Sequence, residues 1–206
     1  MKLAVFDFDS TLMNGETIDF LARTAGVEEE VAKLTKDAME GKLDFFESLT
    51  KRVRLLKGLE YEKVLQICQD LPLMKGAKET INELKKHDYK IACFSGGFSE
   101  ATSSAKEILG LDIDFSNTLH QENGKLTGLV GGSMMFSNSK AIMLKKLQSL
   151  LGIDKENTLV VGDGANDLCM FEYAKIKVAF CAKDILRKEA NIIIKEQDLS
   201  QILAKI

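Results

Sequence analysis

The sequence predicts an α/β fold, a doubly wound parallel sheet with a helical domain inserted after the first strand. Short apolar segments rich in Val, Ile and Phe recur along the 206 residues and alternate with helical patterns. Such alternation is typical of a parallel sheet that is covered by helices on both faces. Residues 15–71 interrupt the alternation, because they show helical patterns but no convincing strand.

Five apolar segments are predicted to be buried strands, because each is short and rich in β-branched or aromatic residues. In chain order they are LAVF from Leu3, KIACF from Lys90, TLVV from Thr158, KVAF from Lys177 and NIII from Asn191. A turn at Asn123-Gly124, between Leu119 and Leu126, adds a hairpin signal. We expect a small antiparallel excursion at that point.

The helices between these strands are predicted from the spacing of their apolar residues. One stripe is formed by Ala77, Ile81 and Leu84, and another by Met143, Leu147, Leu150 and Leu151. These stripes are the faces that we expect to pack on the sheet.

The inserted segment is predicted to be a separate helical cap domain of residues 15–71. Asn14-Gly15 stands where the chain leaves the sheet, and Pro72, the only proline, stands where it returns. Both are natural hinges, because glycine permits and proline restricts unusual backbone angles. The core is then made of residues 1–14 and 72–206.

The bulk composition argues against several classes of partner. With 28 basic and 31 acidic residues, the net charge of −3 offers no basic field for nucleic acid or an anionic membrane. The four cysteines show no CxxC spacing, the two histidines are isolated, and no signal-like segment opens the chain. We expect a cytoplasmic protein with reduced thiols, and the sequence leaves open whether it is a monomer or a homodimer.

Polar residues end the predicted strands. They are Asp7 and Asp9 after the first strand, Ser95-Gly96-Gly97 after the second, and Asp163, Asn166 and Asp167 after the third. In open parallel sheets the binding crevice lies beyond the carboxyl ends of the strands. We therefore expect these three clusters to converge.

Several carboxylates in one crevice require a counter-charge. Two like charges ~4 Å apart repel by roughly 4 kcal/mol even at an effective dielectric constant near 20. Oxygen ligands without clustered His or Cys favour Mg²⁺ over zinc. The alternative is that Asp7 and Asp9 merely form a turn, and acids at more than one strand end disfavour it.

Two further features indicate an anion site. Ser95-Gly96-Gly97 precedes a helix predicted from Ser99 to Leu109, whose positive end would offer a hydroxyl and backbone amides to an anion. Lys140 lies in the first turn of a helix predicted to begin near Ser139, where it opposes the helix dipole. It is either a solvated lysine or a cation between Asp7 and a phosphate.

Arg52 and Glu16 have both a structural and a functional interpretation. Arg52 follows the apolar spacing of Phe45, Leu49 and Leu56, so its guanidinium would border an apolar face and attract an anion. Alternatively it reaches water or pairs with a nearby acid. Glu16 has a structural interpretation as an acid stabilised at a helix start, and its functional interpretation comes only from the family resemblance given below.

The chain resembles the haloacid dehalogenase superfamily, and within it the bacterial and archaeal phosphoserine phosphatase family. The resemblance rests on four motifs in order, DFDST, SGG, Lys140 and GDGAND. The resemblance covers nearly the whole chain, and the insertion is similar to the family's cap. It implies a haloacid dehalogenase-type fold and Mg²⁺-dependent hydrolysis of O-phospho-L-serine to L-serine and phosphate, the last step of L-serine biosynthesis.

The resemblance also implies roles in the chemistry. Asp7 would be the nucleophile that becomes an aspartyl phosphate, and Asp9 the general acid and then the general base. Asp7, the Asp9 carbonyl and Asp163 would hold Mg²⁺, and Asp167 would orient metal-bound water.

Substrate recognition follows from the same resemblance. The phosphoryl oxygens would be held by Ser95, Gly96, Lys140 and Asn166. Arg52 in FFESLTKRVRLL would bind the substrate carboxylate, and Glu16 in NGETID its ammonium group.

Two other functions stay open at this point. Relatives with similar motifs act on other small amine-bearing phosphomonoesters or transfer the phosphoryl group to homoserine. A non-catalytic phospho-aspartate signalling module would also use a doubly wound sheet, an aspartate, Mg²⁺ and a lysine. The position of Asp7 after the first strand and the helical insertion argue against that module.

Overall fold

The computed structural model describes residues 1–206, and a seven-stranded sheet lies at its centre. The strands are β1 (Lys2–Phe6), β2 (Tyr89–Phe98), β3 (Ile113–Glu122), β4 (Lys125–Gly132), β5 (Thr158–Gly162), β6 (Ile176–Phe180) and β7 (Ile192–Ile194). Their order is β4-β3-β2-β1-β5-β6-β7, with β3 and β4 antiparallel and all other neighbours parallel. The predicted doubly wound α/β fold with a helical insertion after the first strand is confirmed.

Nine α-helices surround the sheet. They are α1 (Thr17–Ala25), α2 (Glu28–Met39), α3 (Phe45–Leu55), α4 (Tyr61–Gln69), α5 (Ala77–Lys86), α6 (Ser99–Leu109), α7 (Ser139–Leu151), α8 (Leu168–Phe171) and α9 (Asp184–Arg187). None of them combines the length and the apolar character that a membrane-crossing helix needs.

Strand β1 is buried on both faces, and this explains its continuous apolar sequence. Ala4 and Phe6 belong to one hydrophobic core, which includes residues of α5, α6 and the inserted helices. Leu3 and Val5 belong to a second core with residues of α7, α8 and α9. The sheet therefore holds the end of β1 between two packed layers.

The insertion leaves and rejoins the core at one place. After β1 the chain turns tightly through Phe8–Leu12, where Asp9 and Ser10 have non-helical backbone angles, and Met13 then forms an antiparallel bridge with Leu73. The backbone N–H of Asn14 donates to the Pro72 carbonyl at 2.8 Å. Helices α1 to α4 lie between these two hinge segments. The division into a core and a cap domain of residues 15–71 stays a prediction.

The predicted hairpin exists, but it is larger than a small antiparallel excursion. Residues Ile113 to Phe115 of β3 pair in parallel with β2, and only the later part of β3 pairs with β4. The sequence indicated the hairpin but not the parallel pairing of β3, because this strand is only partly buried and mixes polar with apolar residues. It therefore lacks the continuous apolar pattern of the central strands.

The apolar stripe that we predicted for α7 is wrong at one position. Leu150 is 82% exposed, whereas Leu144 and Leu147 are buried against the sheet. Leucines lie on several sides of this helix, so their spacing alone does not select the buried face. The predicted starts of α6 and α7, by contrast, are confirmed.

Candidate active site

The carboxyl ends of β1, β2 and β5 meet at a cavity of about 150 Å³ that is also bordered by α1 and α3 of the insertion. Most of the predicted site residues line it: Asp7, Asp9, Glu16, Arg52, Gly96, Asp163 and Asn166. Ser95, Lys140 and Asp167 are buried and do not form part of the cavity wall. The structure thus brings the three predicted clusters to one place.

A buried cluster of acids surrounds one lysine. Carboxylate oxygens of Asp7, Asp163 and Asp167 lie within 4.8 Å of one another. Lys140 Nζ donates to Asp7 Oδ1 at 2.5 Å and to Asp167 Oδ1 at 2.6 Å. Lys140 is only 3% exposed, so it is not the solvated lysine that the sequence left open. One ammonium group faces three carboxylates.

Burial and the excess of negative charge shift the pKa values of the residues in this cluster. Burial raises the pKa of Asp7 well above its usual range, the charge of Asp167 adds to the rise, and Lys140 opposes it. Burial and Asp167 likewise raise the pKa of Asp163 to about 6. Burial lowers the pKa of Lys140, but the carboxylates of Asp167 and Asp7 outweigh it and raise that pKa overall.

The donor set fits a divalent cation. Oxygen atoms alone make up the cluster, and hard cations such as Mg²⁺ and Ca²⁺ prefer oxygen ligands. A cation beside Asp7 and Asp163 would balance the charge that Lys140 leaves uncompensated. The acidic cluster is therefore a candidate metal site.

Asp7 keeps one carboxylate oxygen free. Its Oδ1 accepts from the backbone N–H of Phe8 at 2.8 Å and from Lys140, and its own N–H donates to the Val161 carbonyl at 2.9 Å. No protein group donates to Oδ2, although Asp7 lines the cavity. That oxygen is available to a ligand.

Asp9 is oriented by a residue that the sequence analysis missed. Its Oδ1 accepts from the backbone N–H of Thr17 at 2.7 Å and from the Thr17 hydroxyl at 2.6 Å. Burial raises the pKa of Asp9, whereas both bonds from Thr17 lower it. Its Oδ2 lies beside Gly97, because a Cβ atom built there would be 2.7 Å from this oxygen.

The glycines after Ser95 allow close packing. A Cβ atom at Gly96 would lie 2.7 Å from the ring of Phe45, which belongs to α3 of the insertion. Ser95 is fully buried, and its hydroxyl accepts from the Gly97 N–H at 2.9 Å. This arrangement leaves the hydroxyl proton of Ser95 free to be donated to a ligand.

Arg52 and Glu16 bring opposite charges to the same cavity. Arg52 Nε donates to the Ser48 carbonyl at 3.3 Å, and the guanidinium forms no ion pair. Burial lowers the pKa of Arg52, and the charges of Glu16, Asp19 and Asp9 oppose that effect. One interpretation of the sequence required Arg52 to pair with a nearby acid. The structure does not show that pairing.

Glu16 lies at the solvent-exposed rim of the cavity and accepts a hydrogen bond from the Ser10 hydroxyl at 2.8 Å. The surrounding chain displaces part of its water, and this desolvation, with the charge of Asp9, raises its pKa above the usual value. Solvent at the rim screens part of the shift. Glu16 therefore holds its proton to a higher pH than an ordinary glutamate.

Comparisons with known proteins agree with this geometry. The family described as haloacid dehalogenase-like hydrolase matches residues 1–175. A phosphoserine phosphatase of Wolinella succinogenes is 64% identical over 206 residues, and the match covers 100% of both chains. The chain belongs to the phosphoserine phosphatase family of haloacid dehalogenase-like hydrolases.

Two solved structures of this family are very similar to the chain. A phospho-aspartyl intermediate analogue of phosphoserine phosphatase has 54% identity and a TM-score of 0.94, covering 100% of this chain and 98% of its own. A substrate-bound phosphoserine phosphatase complex has 53% identity, the same TM-score and the same coverage.

Lys183 is a second residue of this hydrolase's cavity that the sequence analysis missed. Its exposed side chain lines the cavity, and its backbone N–H donates to the Asp163 carbonyl at 2.9 Å. Its charge also lowers the pKa of Asp163, against the larger effects of burial and Asp167. Lys183 closely follows β6, so examining the residues after every predicted strand would have found it.

Proposed function

We propose that the chain hydrolyses O-phospho-L-serine to L-serine and inorganic phosphate, with Mg²⁺ and through an aspartyl phosphate on Asp7. One observation carries the proposal. A single small cavity contains the free carboxylate oxygen of Asp7, the unpaired guanidinium of Arg52 and the carboxylate of Glu16. Asp7 offers a nucleophile to the phosphate of phosphoserine, Arg52 a cation to its carboxylate and Glu16 an anion to its ammonium group. The names of the relatives support the same substrate.

Recognition of the amino acid is assigned to the insertion. Arg52 binds the substrate carboxylate, because a partly desolvated guanidinium without an ion-pair partner favours a planar anion. Glu16 binds the ammonium group. Phe45 and Leu49 of α3 also line the cavity and limit the size of the side chain that fits.

The phosphoryl group is held by Ser95, the Gly96 amide, Lys140 and Asn166. Ser95 has a free hydroxyl proton, Lys140 touches Asp7, and Asn166 lines the cavity. Donors placed before the reaction stabilise charge on the phosphoryl oxygens as it develops, without reorganisation during the step.

The first step transfers the phosphoryl group to the enzyme. Asp7 Oδ2 attacks phosphorus, the bond from phosphorus to the serine oxygen breaks, and Asp9 gives its proton to the departing alkoxide. Burial supports this role, because it raises the pKa of Asp9 and so favours its protonated form.

The second step releases phosphate. A water molecule attacks phosphorus, its proton goes to the Asp9 carboxylate, and the bond from phosphorus to Asp7 breaks. Asp7 is then free, and Asp9 again holds the proton that the next turnover needs. The Thr17 bonds keep Asp9 in place through both proton transfers.

Asp7, the Asp9 carbonyl and Asp163 are the groups that would hold Mg²⁺. When bound, the ion screens the repulsion between the anionic nucleophile and the phosphate dianion. Asp167 supports this site from its buried position, since it accepts from Lys140 and from the backbone N–H groups of Asp163 and Gly164, both at 3.1 Å.

We further propose that residues 15–71 act as a cap domain that excludes bulk water when it lies on the core. The reaction would take place in the cytoplasm as the step that releases L-serine.

A substrate panel tests the proposal. Phosphate release from phosphoserine, phosphothreonine and homoserine phosphate is measured with Mg²⁺ and with excess EDTA, and homoserine is offered as an acceptor. We expect phosphoserine to have the highest kcat/KM and EDTA to abolish turnover. Equal kcat/KM values for the three esters, or transfer to homoserine in preference to water, would contradict the serine assignment.

The nucleophile is tested by Asp7→Asn, which we expect to abolish turnover and the acid-stable phosphoenzyme formed from labelled substrate. Asp70→Asn is the control, because Asp70 is exposed and remote from the cavity. Substantial turnover by Asp7→Asn would exclude covalent catalysis at this residue.

A further inference from the structure

Asn117 is a fully buried polar residue that no part of the mechanism above uses. It lies on β3 opposite Phe98 of β2, where the parallel register between the strands is interrupted after Phe94. Ser95, Gly96 and Gly97 occupy that interruption. Asn117 therefore stands beside the irregular part of β2 that carries part of the phosphoryl-binding site.

The carboxamide of Asn117 binds this part of β2 directly. Asn117 Nδ2 donates to the Gly96 carbonyl at 3.1 Å, and the N–H of the same peptide, on Gly97, donates to the Ser95 hydroxyl at 2.9 Å. Because a peptide unit is planar, fixing its carbonyl also fixes the direction of its N–H. Asn117 is thus connected to the Ser95 hydroxyl through one rigid peptide.

The same carboxamide binds a second segment of the site. Asn117 Oδ1 accepts from the Met134 N–H at 2.9 Å, and Nδ2 also donates to the Met134 carbonyl at 3.2 Å. Met134 lies in the segment that leads from β4 into α7, the helix that carries Lys140. One side chain therefore ties together the two segments that hold the phosphoryl group.

Close packing of β4 against β3 surrounds Asn117. A Cβ atom at Gly132, which pairs with Asn117 across β3 and β4, would lie 2.6 Å from the Asn117 Cα. The glycine therefore lets the two backbones approach closely. Since the residue is fully buried, its rotamer is held by three hydrogen bonds to backbone groups of Gly96 and Met134.

We propose that Asn117 is a positioning residue, which holds the Ser95 hydroxyl and the Gly96-Gly97 peptide in register with Lys140 for the phosphoryl group. The inference rests on the proposed function only in its choice of phosphate as the ligand. It predicts that loss of the carboxamide impairs phosphate binding and leaves recognition of the amino acid unchanged.

The test uses Asn117→Asp, which keeps the shape but cannot donate to the Gly96 carbonyl, and Asn117→Ala. We expect kcat/KM for phosphoserine to fall about 10- to 100-fold, the size of effect that small misplacement of reacting groups produces. The inhibition constant of inorganic phosphate should rise, whereas that of L-serine, which uses Arg52 and Glu16, should not change.

Asn191→Ala is the matched control. Asn191 also accepts from a backbone N–H, that of Lys177 at 2.8 Å, and donates to a carbonyl, that of Lys175 at 2.7 Å, but it is remote from the cavity. We expect a lower Tm in this control with both inhibition constants unchanged. Unchanged phosphate inhibition in a folded Asn117 variant, or an equal loss for L-serine, would overturn the proposal.

Two further measurements test the role of Asn117 if the wild-type protein does not hydrolyse phosphoserine or if the variants do not fold. If wild-type protein does not hydrolyse phosphoserine, the proposed function fails, and the phosphate inhibition constant measured with p-nitrophenyl phosphate still tests Asn117. If neither Asn117 variant folds, phosphate is titrated into wild-type protein with Mg²⁺ and observed by NMR. The Asn117 side-chain amide signals should shift while those of Asn191 stay, and no shift would refute the proposal.

Discussion

At the scale of single residues, the surroundings of Arg52 distinguish it from the other arginine of the same helix. Its spacing with Phe45 and Leu49 places the guanidinium in the cavity wall, and no carboxylate pairs with it. Arg54 lies on the same helix but is exposed and outside the cavity. The two arginines therefore form a matched pair for mutation.

We predict that Arg52→Ala raises KM for phosphoserine at least about 10-fold, because loss of a bond to a charged group costs roughly 1.5–3 kcal/mol. KM for an ester without a carboxylate should change little. Arg54→Ala should leave both KM values as they are. Equal loss for both esters in Arg52→Ala would show that Arg52 only supports the structure.

Glu16 gives the reaction a pH dependence. Its pKa is raised, so lowering the pH protonates it and removes the charge that attracts the substrate ammonium. We predict that kcat/KM for phosphoserine rises with pH through a midpoint above about 4.3, the ordinary glutamate value, and no higher than about 7.

The measurement compares wild type with Glu16→Gln, using phosphoserine and a phosphomonoester without an amino group. The second ester shares the ionisation of the phosphate and so isolates the contribution of Glu16. If Glu16→Gln retains the same pH profile for phosphoserine, the titration belongs to another group.

At the scale of elements, the insertion is held to the core by more than its hinges. The Gly58 N–H donates to the Leu126 carbonyl at 2.8 Å, and the Leu126 N–H donates to the Leu59 carbonyl at 2.8 Å. The rings of Phe46 and Phe136 stack with centroids 5.4 Å apart. A cap that opens must break the ring stack, and it must also break the two backbone bonds or carry the β3–β4 hairpin with it.

We predict that Phe46→Ala shifts the cap towards an open state. An aromatic pair contributes about 0.5–1.5 kcal/mol beyond its burial, which corresponds to a change of roughly 2- to 10-fold in the open population. Hydrogen exchange of α3 should become faster, while Met39→Ala, at an exposed cap position, should have no effect. Equal exchange rates in wild type and Phe46→Ala would show that the stack does not hold the cap.

At the scale of the whole molecule, the acidic cluster links metal binding to stability. It joins the ends of β1 and β5, so a cation bound there connects segments that are distant in sequence. A ligand that binds only the folded state stabilises it by about 2.7 kcal/mol at 100 times its Kd.

We therefore predict that Mg²⁺ at that concentration raises Tm by about 5–10 °C relative to EDTA. Asp163→Asn should lose most of this increase, whereas Asp198→Asn, remote from the cluster, should retain it. Scanning calorimetry measures both. An equal rise in the two variants would place the responsible metal elsewhere.

Local sequence patterns were enough to predict the α/β class, the insertion and the convergence of the strand ends. Asp7 and Asp163 could be placed together without coordinates, since parallel strands end at the same edge of a sheet. The spacing of α3 likewise placed Arg52 next to apolar residues. Motif order added the family, which the comparisons confirm.

The contacts that those residues make could be read only from the three-dimensional structure. The two bonds from Lys140, the place of Lys183 and the carboxamide network of Asn117 join segments far apart in the chain, and the Thr17 bonds to Asp9 join the segment after β1 to the start of α1. The buried face of α7 and the dual pairing of β3 were also decided there. The physical reason is that such contacts depend on packing between elements, whereas a sequence pattern reports the preferences of one element at a time.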